Sequence, residues 1–452
     1  MNVTAAPRSL RTKAEEEIAA AYQAARASLP GSGVVAQRRD AAFAVFERGG
    51  LPHRRVEAWK YTDLRALLRS VPPLASDAEP GPLAVLGRDD PLAGLDCARI
   101  VVANGAFRPD LSDLAGLDGV TVQSLADVLD ATPERVGRLF ADTEDTVLAL
   151  NSALMQGGVV VTVAADVKPA RPIAIVHRSA LGSAASLYLR DVVDVGRHAA
   201  VRFVDAYAGP ANLAYQVNAV TELAIGHGAS VAFARLQAEG SAAVHLGSLV
   251  ARLAGDAALD HLVVSAGASL SRWQGFVAVA GSGARIAFNG ANMLAGKEHG
   301  DLALVVEHGA AHSASRELFK NVVDDQAQGA FQGRIVVKQG AQKTDAKMMT
   351  QALLLSDSAE FASKPELEIF ADDVQCGHGS TSGRIDESML FYLLARGIPR
   401  AEAERLLIEA FLADAIDAIG DEAIAETLKR TIGKWLRRRG GQTAAGPKER
   451  GT

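Results

Sequence analysis

The sequence predicts a mainly β core of the β-helix or β-solenoid class, with helical regions on both sides of it. The region from about 157 to 380 consists of short β-type runs separated by glycines. Within it a Gly-x-x-Ala/Ser pattern precedes the apolar anchors Val201, Val231, Leu259 and Ile286, which are 30, 28 and 27 residues apart. A repeat of this length is typical of stacked units that bury a shared core. A large β-sandwich with coincidental spacing is the alternative.

Changes in composition and periodicity divide the chain into three regions and a tail. Residues 1–150 mix helical segments with loops, and residues 151–385 form the predicted β core. Residues 386–438 have helical periodicity. Residues 439–452 are Gly, polar and charged residues with one Pro, so we expect them to be disordered.

The C-terminal region carries the apolar stripe of an amphipathic helix. Pro399 stands where such a helix would begin. Apolar residues follow it at helical spacing: Leu407, Ile408, Phe411, Leu412, Ile416 and Ile419. The stripe predicts a helix that either caps the open end of the solenoid or docks a partner protein.

The composition argues against several classes of function. The net charge is −6 and aromatic residues are 5%, so neither a nucleic-acid surface nor a base-stacking platform is indicated. No run of 18 apolar residues and no signal-peptide pattern occurs, so we expect no membrane span and a cytoplasmic location. The two cysteines, Cys97 and Cys376, do not make a disulfide framework.

Motifs for nucleotide and zinc binding are also missing. No stretch matches the Gly-x-x-x-x-Gly-Lys-Ser/Thr loop that cradles phosphates, so we expect no nucleotide to be bound by this chain. Neither Cys-x-x-Cys nor His-Glu-x-x-His occurs, which removes the usual dithiol and zinc sites.

The strongest local signal for chemistry is the segment 371–380, which contains Cys376 and His378. If the strand that includes Leu367 continues, its period of two places Val374, Cys376 and His378 on one face. A thiolate and an imidazole at this spacing can both reach one metal ion or one small cluster. The alternative is a buried structural cysteine beside a histidine that caps a turn.

Other titratable residues give weaker signals. His299, His308 and His312 could bind a metal, but a solvated row of histidines is the simpler interpretation. The pairs Asp324–Asp325 and Asp372–Asp373 are interpreted as turn or edge residues rather than as acid–base groups.

Several segments resemble the SufB/SufD family of iron–sulfur cluster assembly scaffolds, in the same order along most of the chain. They are residues 57–64 (Glu-Ala-Trp-Lys-Tyr-Thr-Asp-Leu), 343–346 (Lys-Thr-Asp-Ala), 353–356 (Leu-Leu-Leu-Ser), 364–369 (Lys-Pro-Glu-Leu-Glu-Ile), 372–379 (Asp-Asp-Val-Gln-Cys-Gly-His-Gly) and 391–398 (Phe-Tyr-Leu-Leu-Ala-Arg-Gly-Ile). The Trp-Lys-Tyr segment, and the lack of an N-terminal Cys-rich motif, favour the SufD branch over the SufB branch.

The resemblance implies a right-handed parallel β-helix between an N-terminal domain and a C-terminal helical domain. It also implies a scaffold rather than an enzyme, in a complex with SufB and two copies of the ATPase SufC. The C-terminal helices, with Pro399, Leu407, Phe411 and Ile416, would dock SufC. An exposed strand edge facing SufB would also allow a homodimer of the isolated chain.

The resemblance further implies that His378 helps to hold a nascent iron–sulfur cluster at the SufB interface. Cys376 is the weaker candidate, because the principal cysteine is thought to belong to SufB. A flavin in the complex stays an open expectation. The rival interpretations are a purely structural partner of the ATPase, without a metal role, and a β-helix enzyme that acts on polysaccharide.

Overall fold

The repeat in the sequence corresponds to a stack of β-strand coils. The computed structural model describes residues 11–75, 90–140 and 143–443. Its strands, in chain order, are β1 (Ala98–Ala103), β2 (Ala106–Phe107), β3 (Val120–Ser124), β4 (Val159–Val163), β5 (Ile173–Arg178), β6 (Ser186–Val195), β7 (Ala200–Ala208), β8 (Gln216–Ile225), β9 (Ser230–Gln237), β10 (Val244–Leu253), β11 (Ala258–Ala266), β12 (Leu270–Val279), β13 (Arg285–Leu294), β14 (His299–His308), β15 (Ala314–Val323), β16 (Gln328–Val337), β17 (Asp345–Leu354), β18 (Glu360–Ile369) and β19 (Gln375–Gly383).

From β4 to β19, consecutive strands alternate between two sheets, so each pair of strands makes one coil of a parallel β-solenoid. The ten-stranded sheet has the order β19-β17-β15-β13-β11-β9-β7-β5-β1-β2. The nine-stranded sheet has the order β18-β16-β14-β12-β10-β8-β6-β4-β3. Among the strands of the described ranges, only β2 and β3, at one end of each sheet, pair antiparallel with their neighbours. The mainly β solenoid prediction is therefore confirmed, and the β-sandwich alternative is wrong.

The register of the ten-stranded sheet explains the spacing of the repeat. Val201 pairs with Val231, Val231 with Leu259, and Leu259 with Ile286. All four side chains are buried between the two sheets, in a core that runs along the solenoid. The repeat length is therefore one coil of two strands and two turns, and the anchors form one inward-facing column.

Helices cover the outer faces of the two sheets. They are α1 (Lys13–Ala25), α2 (Val34–Gly49), α3 (Leu64–Leu67), α4 (Leu125–Ala131), α5 (Thr146–Leu154), α6 (Glu387–Ala395), α7 (Arg400–Ile416) and α8 (Glu422–Thr443), with short 3-10 turns that include Glu57–Trp59 and Asp417–Ile419. Helices α1, α2 and α5 share a core with Tyr188, Leu246 and Leu270 of the nine-stranded sheet. Helices α7 and α8 share another core with the ten-stranded sheet. Within the described ranges, no helix combines the length and apolarity needed to cross a membrane.

The structure refines the regional boundaries at both ends. The sheets begin before residue 150, because β1 pairs with β5 and β3 pairs with β4. At the C-terminus α8 continues to Thr443, so residues 439–443 are helical, contrary to the expected disorder. The rest of the predicted tail, 444–452, lies outside the described residues.

Candidate functional site

Cys376 and His378 lie on β19, the last strand of the ten-stranded sheet. Cys376 pairs with Ala346 and His378 with Met348, two residues that belong to the buried core. Both side chains therefore face the lumen of the solenoid at its open end. The prediction that Val374 shares their strand is wrong, because β18 ends at Ile369 and the chain turns before β19. Val374 nevertheless packs against the same core.

The two side chains differ in their exposure to solvent. Cys376 is half-buried and packs against the core, whereas His378 is exposed. Burial raises the pKa of the Cys376 thiol, and the charges of Asp345 and Glu317 raise it further. The thiol therefore stays protonated at neutral pH unless a metal ion or a cationic partner stabilises the thiolate. A neighbouring exposed imidazole is free to contact a partner or a ligand.

A complete metal site is not gathered around these two residues. Among the described residues, one group of three potential metal ligands lies close enough together to hold a single ion. It is distant in sequence from Cys376 and His378, and consists of His177, Asp191 and Asp205. Cys376 and His378 thus supply at most part of a ligand set. Any ion or cluster held here would need further ligands from elsewhere.

The lumen at this end is open and apolar. Phe361, Leu367 and Val374 contact the core but are only partly buried. Next to them Ile369 and Phe370 are 42% and 61% exposed. Exposed side chains of this size beside an uncovered core are typical of a surface that a partner covers.

A cavity of about 670 Å³ is lined by the last strands of the same sheet and by Ala418 of the C-terminal region. Besides Cys376 and His378, many of its lining residues alternate with the core-facing ones and so point outward: Ala287, Asn289, Arg316, Leu318, Lys347, Met349, Gly377 and Gly379. A Cβ at Gly379 would collide with the side chain of Met349, 2.6 Å away. Glycine at this position therefore lets Met349 lie across the last strand.

The sequence did not point to Glu317, which stands two coils before His378 in the same inward column. Glu317 pairs with Met348, and Met348 pairs with His378. Burial raises the pKa of Glu317 from its ordinary value of 4.5 to about 8. Only the coil register, which brings residues about 30 positions apart side by side, could have connected this residue with the Cys-x-His segment.

The predicted docking residues of the C-terminal region occupy different environments. Ile416 is fully buried against the ten-stranded sheet, so it cannot contact a partner in this conformation. Phe411 is partly buried, with the Lys320 ammonium 4.5 Å from its ring centre. Pro399 is exposed and Leu407 is partly buried. The stripe of α7 thus covers the outer face of the ten-stranded sheet and does not cap the open end of the solenoid, and only its margin is accessible.

Helix α6 carries the accessible apolar surface of this region. Met389, Phe391 and Tyr392 are 57%, 72% and 54% exposed, and only Leu390 of the helix is buried. The segment 391–398 carries part of the family resemblance, but its periodicity does not predict its exposure. An apolar helix that faces solvent on most of its circumference is typical of a surface that a partner covers.

The three histidines of the central region do not form one site. His299 is buried and its Nε2 lies 2.9 Å from the Thr62 hydroxyl. His308 is buried between the hydroxyls of Ser313 and Ser315, at 2.8 and 3.0 Å. Only His312 is exposed, on a turn. The interpretation as a solvated row is therefore wrong for His299 and His308.

The N-terminal segment 57–64 anchors the N-terminal region to the nine-stranded sheet. The Arg272 guanidinium lies 3.9 Å from the ring centre of Trp59 and forms a buried ion pair with Asp301. The Thr62 hydroxyl donates to the same Asp301 carboxylate. This segment has a packing role, which explains why its aromatic and polar residues occur together.

Comparisons with known proteins agree with this architecture. The model of the SufBD core domain of the SUF system for FeS cluster assembly matches residues 178–411, and the SufBD N-terminal model matches residues 12–175. The chain belongs to the SufBD family. Members of this family take part in iron–sulfur cluster assembly, which confirms the predicted role in cluster assembly.

Individual relatives extend over most of the chain. The iron–sulfur cluster assembly protein SufD of Escherichia coli is 31% identical over 86% of this chain and 90% of its own length. A SufBD family protein of Synechocystis is 27% identical over 93% of this chain and 96% of its own. SufD of Bacillus subtilis is 28% identical over 64% of this chain and 66% of its own.

Proposed function

We propose that the chain is the SufD-type scaffold subunit of a cytoplasmic SufB–SufC–SufD complex, without catalytic turnover of its own. In this proposal His378, with Cys376 in support, holds iron or sulfide of a nascent cluster at the interface with SufB. The observation that carries it is the position of an exposed imidazole and a half-buried thiol on the terminal strand of an uncapped solenoid.

The incomplete ligand set supports a shared site. Thiolate and imidazole ligands suit iron, but neither residue has a third metal ligand gathered beside it within the described ranges. A partner whose own edge faces β18 and β19 would supply the missing ligands. It would also cover Ile369 and Phe370 and pair with the free backbone groups of the edge strands. A second copy of the chain could occupy the same edge when SufB is absent.

Helix α6 is the surface that best fits the ATPase. Its exposed aromatic face, centred on Phe391, has the composition of a protein interface. Pro399, Leu407 and Phe411 at the accessible margin of α7 would extend that contact. We therefore place SufC on α6 and the start of α7 rather than on the buried stripe.

This placement suggests how ATP-driven motion reaches the cluster site. The C-terminal helices pack on the outer face of the sheet that ends in β19. A displacement of these helices by the ATPase would be transmitted to the last strands, where the cavity leaves room for movement. Separation of the chain edge from SufB would then open the site to iron and sulfide.

The test is in vivo maturation of a reporter iron–sulfur enzyme by His378→Ala, with co-purification of SufB and SufC from the same cells. We expect maturation to be lost while the complex stays intact. His312→Ala is the matched control, since His312 is an exposed histidine on a turn away from the last strand, and it should mature the reporter normally. Full maturation by His378→Ala would mean that the chain has only a structural role in the complex.

A further inference from the structure

A second group of potential metal ligands lies inside the first coils of the solenoid. His177 on β5 and Asp205 on β7 belong to the ten-stranded sheet, and Asp191 on β6 reaches them from the nine-stranded sheet. All three side chains are at most 3% exposed. One ligand atom from each residue lies within 4.8 Å of the other two. The group therefore bridges the two sheets across the lumen.

The ligand atoms lie as close together as those around a bound metal ion or slightly closer, and Nε2 of His177 is within hydrogen-bond distance of Asp191. The Nε2 atom of His177 lies 2.8 Å from Oδ2 of Asp191 and 3.4 Å from Oδ1 of Asp205. Nitrogen and oxygen ligands at about 2.0–2.2 Å from a zinc-like ion are roughly 3.0–3.4 Å from one another. Small movements of the side chains would place an ion at bonding distance from all three.

Each carboxylate is oriented by a donor on its far side. The backbone N–H of Val159 donates to Oδ1 of Asp191 at 2.9 Å, which leaves Oδ2 directed at His177. Arg235 donates to Oδ2 of Asp205 at 2.8 Å, which leaves Oδ1 without a hydrogen-bond partner. Tyr207 stacks on the His177 ring, 4.4 Å between centres. Outer donors that fix ligand orientation in this way are typical of metal sites.

The charges around the group also fit a divalent cation. Arg235 contacts His245, whose Nδ1 lies 2.6 Å from the Glu239 carboxylate, so the buried network continues to a third acid. Three carboxylates and one guanidinium leave two negative charges in a dry interior. Either two protonated imidazoles or one divalent cation balances them.

We propose that His177, Asp191 and Asp205 form a buried structural site for a divalent transition-metal ion of the manganese, iron(II) or zinc class. One nitrogen and two oxygen ligands suit these ions. The site is sealed from solvent, so the ion binds as the chain folds and joins the two sheets. It is separate from the proposed cluster site at His378, both in position and in its lack of a thiolate.

The experiment measures the metal content of the purified full chain by mass spectrometry, before and after unfolding in EDTA and refolding with Zn²⁺, Mn²⁺ or anaerobic Fe²⁺. We expect about one equivalent of ion that resists EDTA in the folded chain and is released on unfolding. Asp205→Asn and His177→Gln should lose it. His308→Gln changes a buried histidine with hydroxyl partners only, so it should retain the ion.

Two further measurements separate the alternatives. The chain refolded with Co²⁺ should show ligand-field absorption without thiolate charge transfer, and Cys376→Ser/His378→Ala should leave this spectrum unchanged. If Asp205→Asn does not fold, the wild-type chain refolded with Zn²⁺ should still melt at a higher temperature than the chain refolded in EDTA. A wild-type chain that is metal-free as purified, and that takes up none of the ions on refolding, would overturn the proposal in favour of protonated histidines.

Discussion

The two ends of the solenoid are built from the same coil but differ in how far they are buried. In β4 and β5 all residues but Thr162 and Arg178 are buried, under flanking strands and helices. In β18 and β19 no residue is buried. Because the backbone register is continuous along the stack, the difference lies only in what covers each end. The covered end contributes stability, and the open end leaves its side chains accessible.

The buried charges of the interior follow the same division. Toward the first coils, Asp205 is paired with Arg235 and Glu239 with His245. Toward the open end, Glu317 is buried and forms no ion pair among the described residues, and the nearby Ser315 and Arg316 only partly offset the effect of burial on its pKa. A lone buried acid is tolerated only in its protonated form. The stability of the interior near the open end should therefore depend on pH.

The largest expected effect separates the core from the open end. Phe288 is fully buried and stacks on His261 at 4.3 Å, so Phe288→Ala should lower the free energy of unfolding by about 3–5 kcal/mol. Phe370 is 61% exposed, and Phe370→Ala should change it by less than about 0.5 kcal/mol. Urea denaturation of the isolated chain measures both.

The same two variants should have the reverse order of effect in a SufB binding assay, with Phe370→Ala the more damaging. Phe370→Ala should weaken binding to SufB, because the substitution removes apolar area from the proposed interface. A large loss of stability in Phe370→Ala would mean that the open end is already part of the cooperative core, and the contrast between the ends would fail.

A smaller effect concerns Glu317. Its pKa of about 8 exceeds the unfolded value of 4.5, so the folded chain keeps a proton that the unfolded chain releases. The stability contributed by this proton is complete below pH 4.5 and is lost as the pH rises toward 8. Between pH 5 and pH 8 the loss should be on the order of 3 kcal/mol. Glu317→Gln should remove this loss and be the more stable protein at pH 8.

The matched control is Glu307→Gln. The Glu307 side chain is 45% exposed and pairs with the exposed Lys338 at 2.9 Å. Its substitution should leave the pH dependence of stability as in the wild type, because exposed ion pairs contribute little. Equal curves for the wild type and Glu317→Gln would show that water or a counter-ion reaches the Glu317 carboxylate.

The sequence alone predicts the fold because every coil of a solenoid repeats the same residue pattern. Val201, Val231, Leu259 and Ile286 each mark the same point of a coil, so even four imperfect copies predict the stack. The first strands of the two sheets were not predicted, for a related reason. Strands β1 and β3 have no repeat of their own, and they join the sheets through pairings that no periodicity encodes.

The candidate site was only partly predictable. Cys376 and His378 are close in the sequence, and their alternation was enough to place them on one face. Glu317 lies two coils away, and the burial of Ile416 depends on which face of α7 meets the sheet. Whether an apolar stripe covers its own sheet or a partner is decided by tertiary packing. For this reason the stripe was assigned to docking, while the exposed face of α6 was missed.

The smallest effect compares one helix cap at each end. Asp145 caps α5 by accepting hydrogen bonds from the N–H groups of Val147 and Leu148, both at 2.9 Å, and α5 is packed into the covered end. Asp145→Ala should therefore lower the free energy of global unfolding by about 1 kcal/mol. Asp386 caps α6 in the same way, through Ser388 and Met389, but α6 is largely exposed. Asp386→Ala should speed amide hydrogen exchange within α6 and leave global unfolding unchanged, since a helix outside the core opens locally. If both variants lowered global stability equally, α6 would fold cooperatively with the solenoid and would not be a separate docking element.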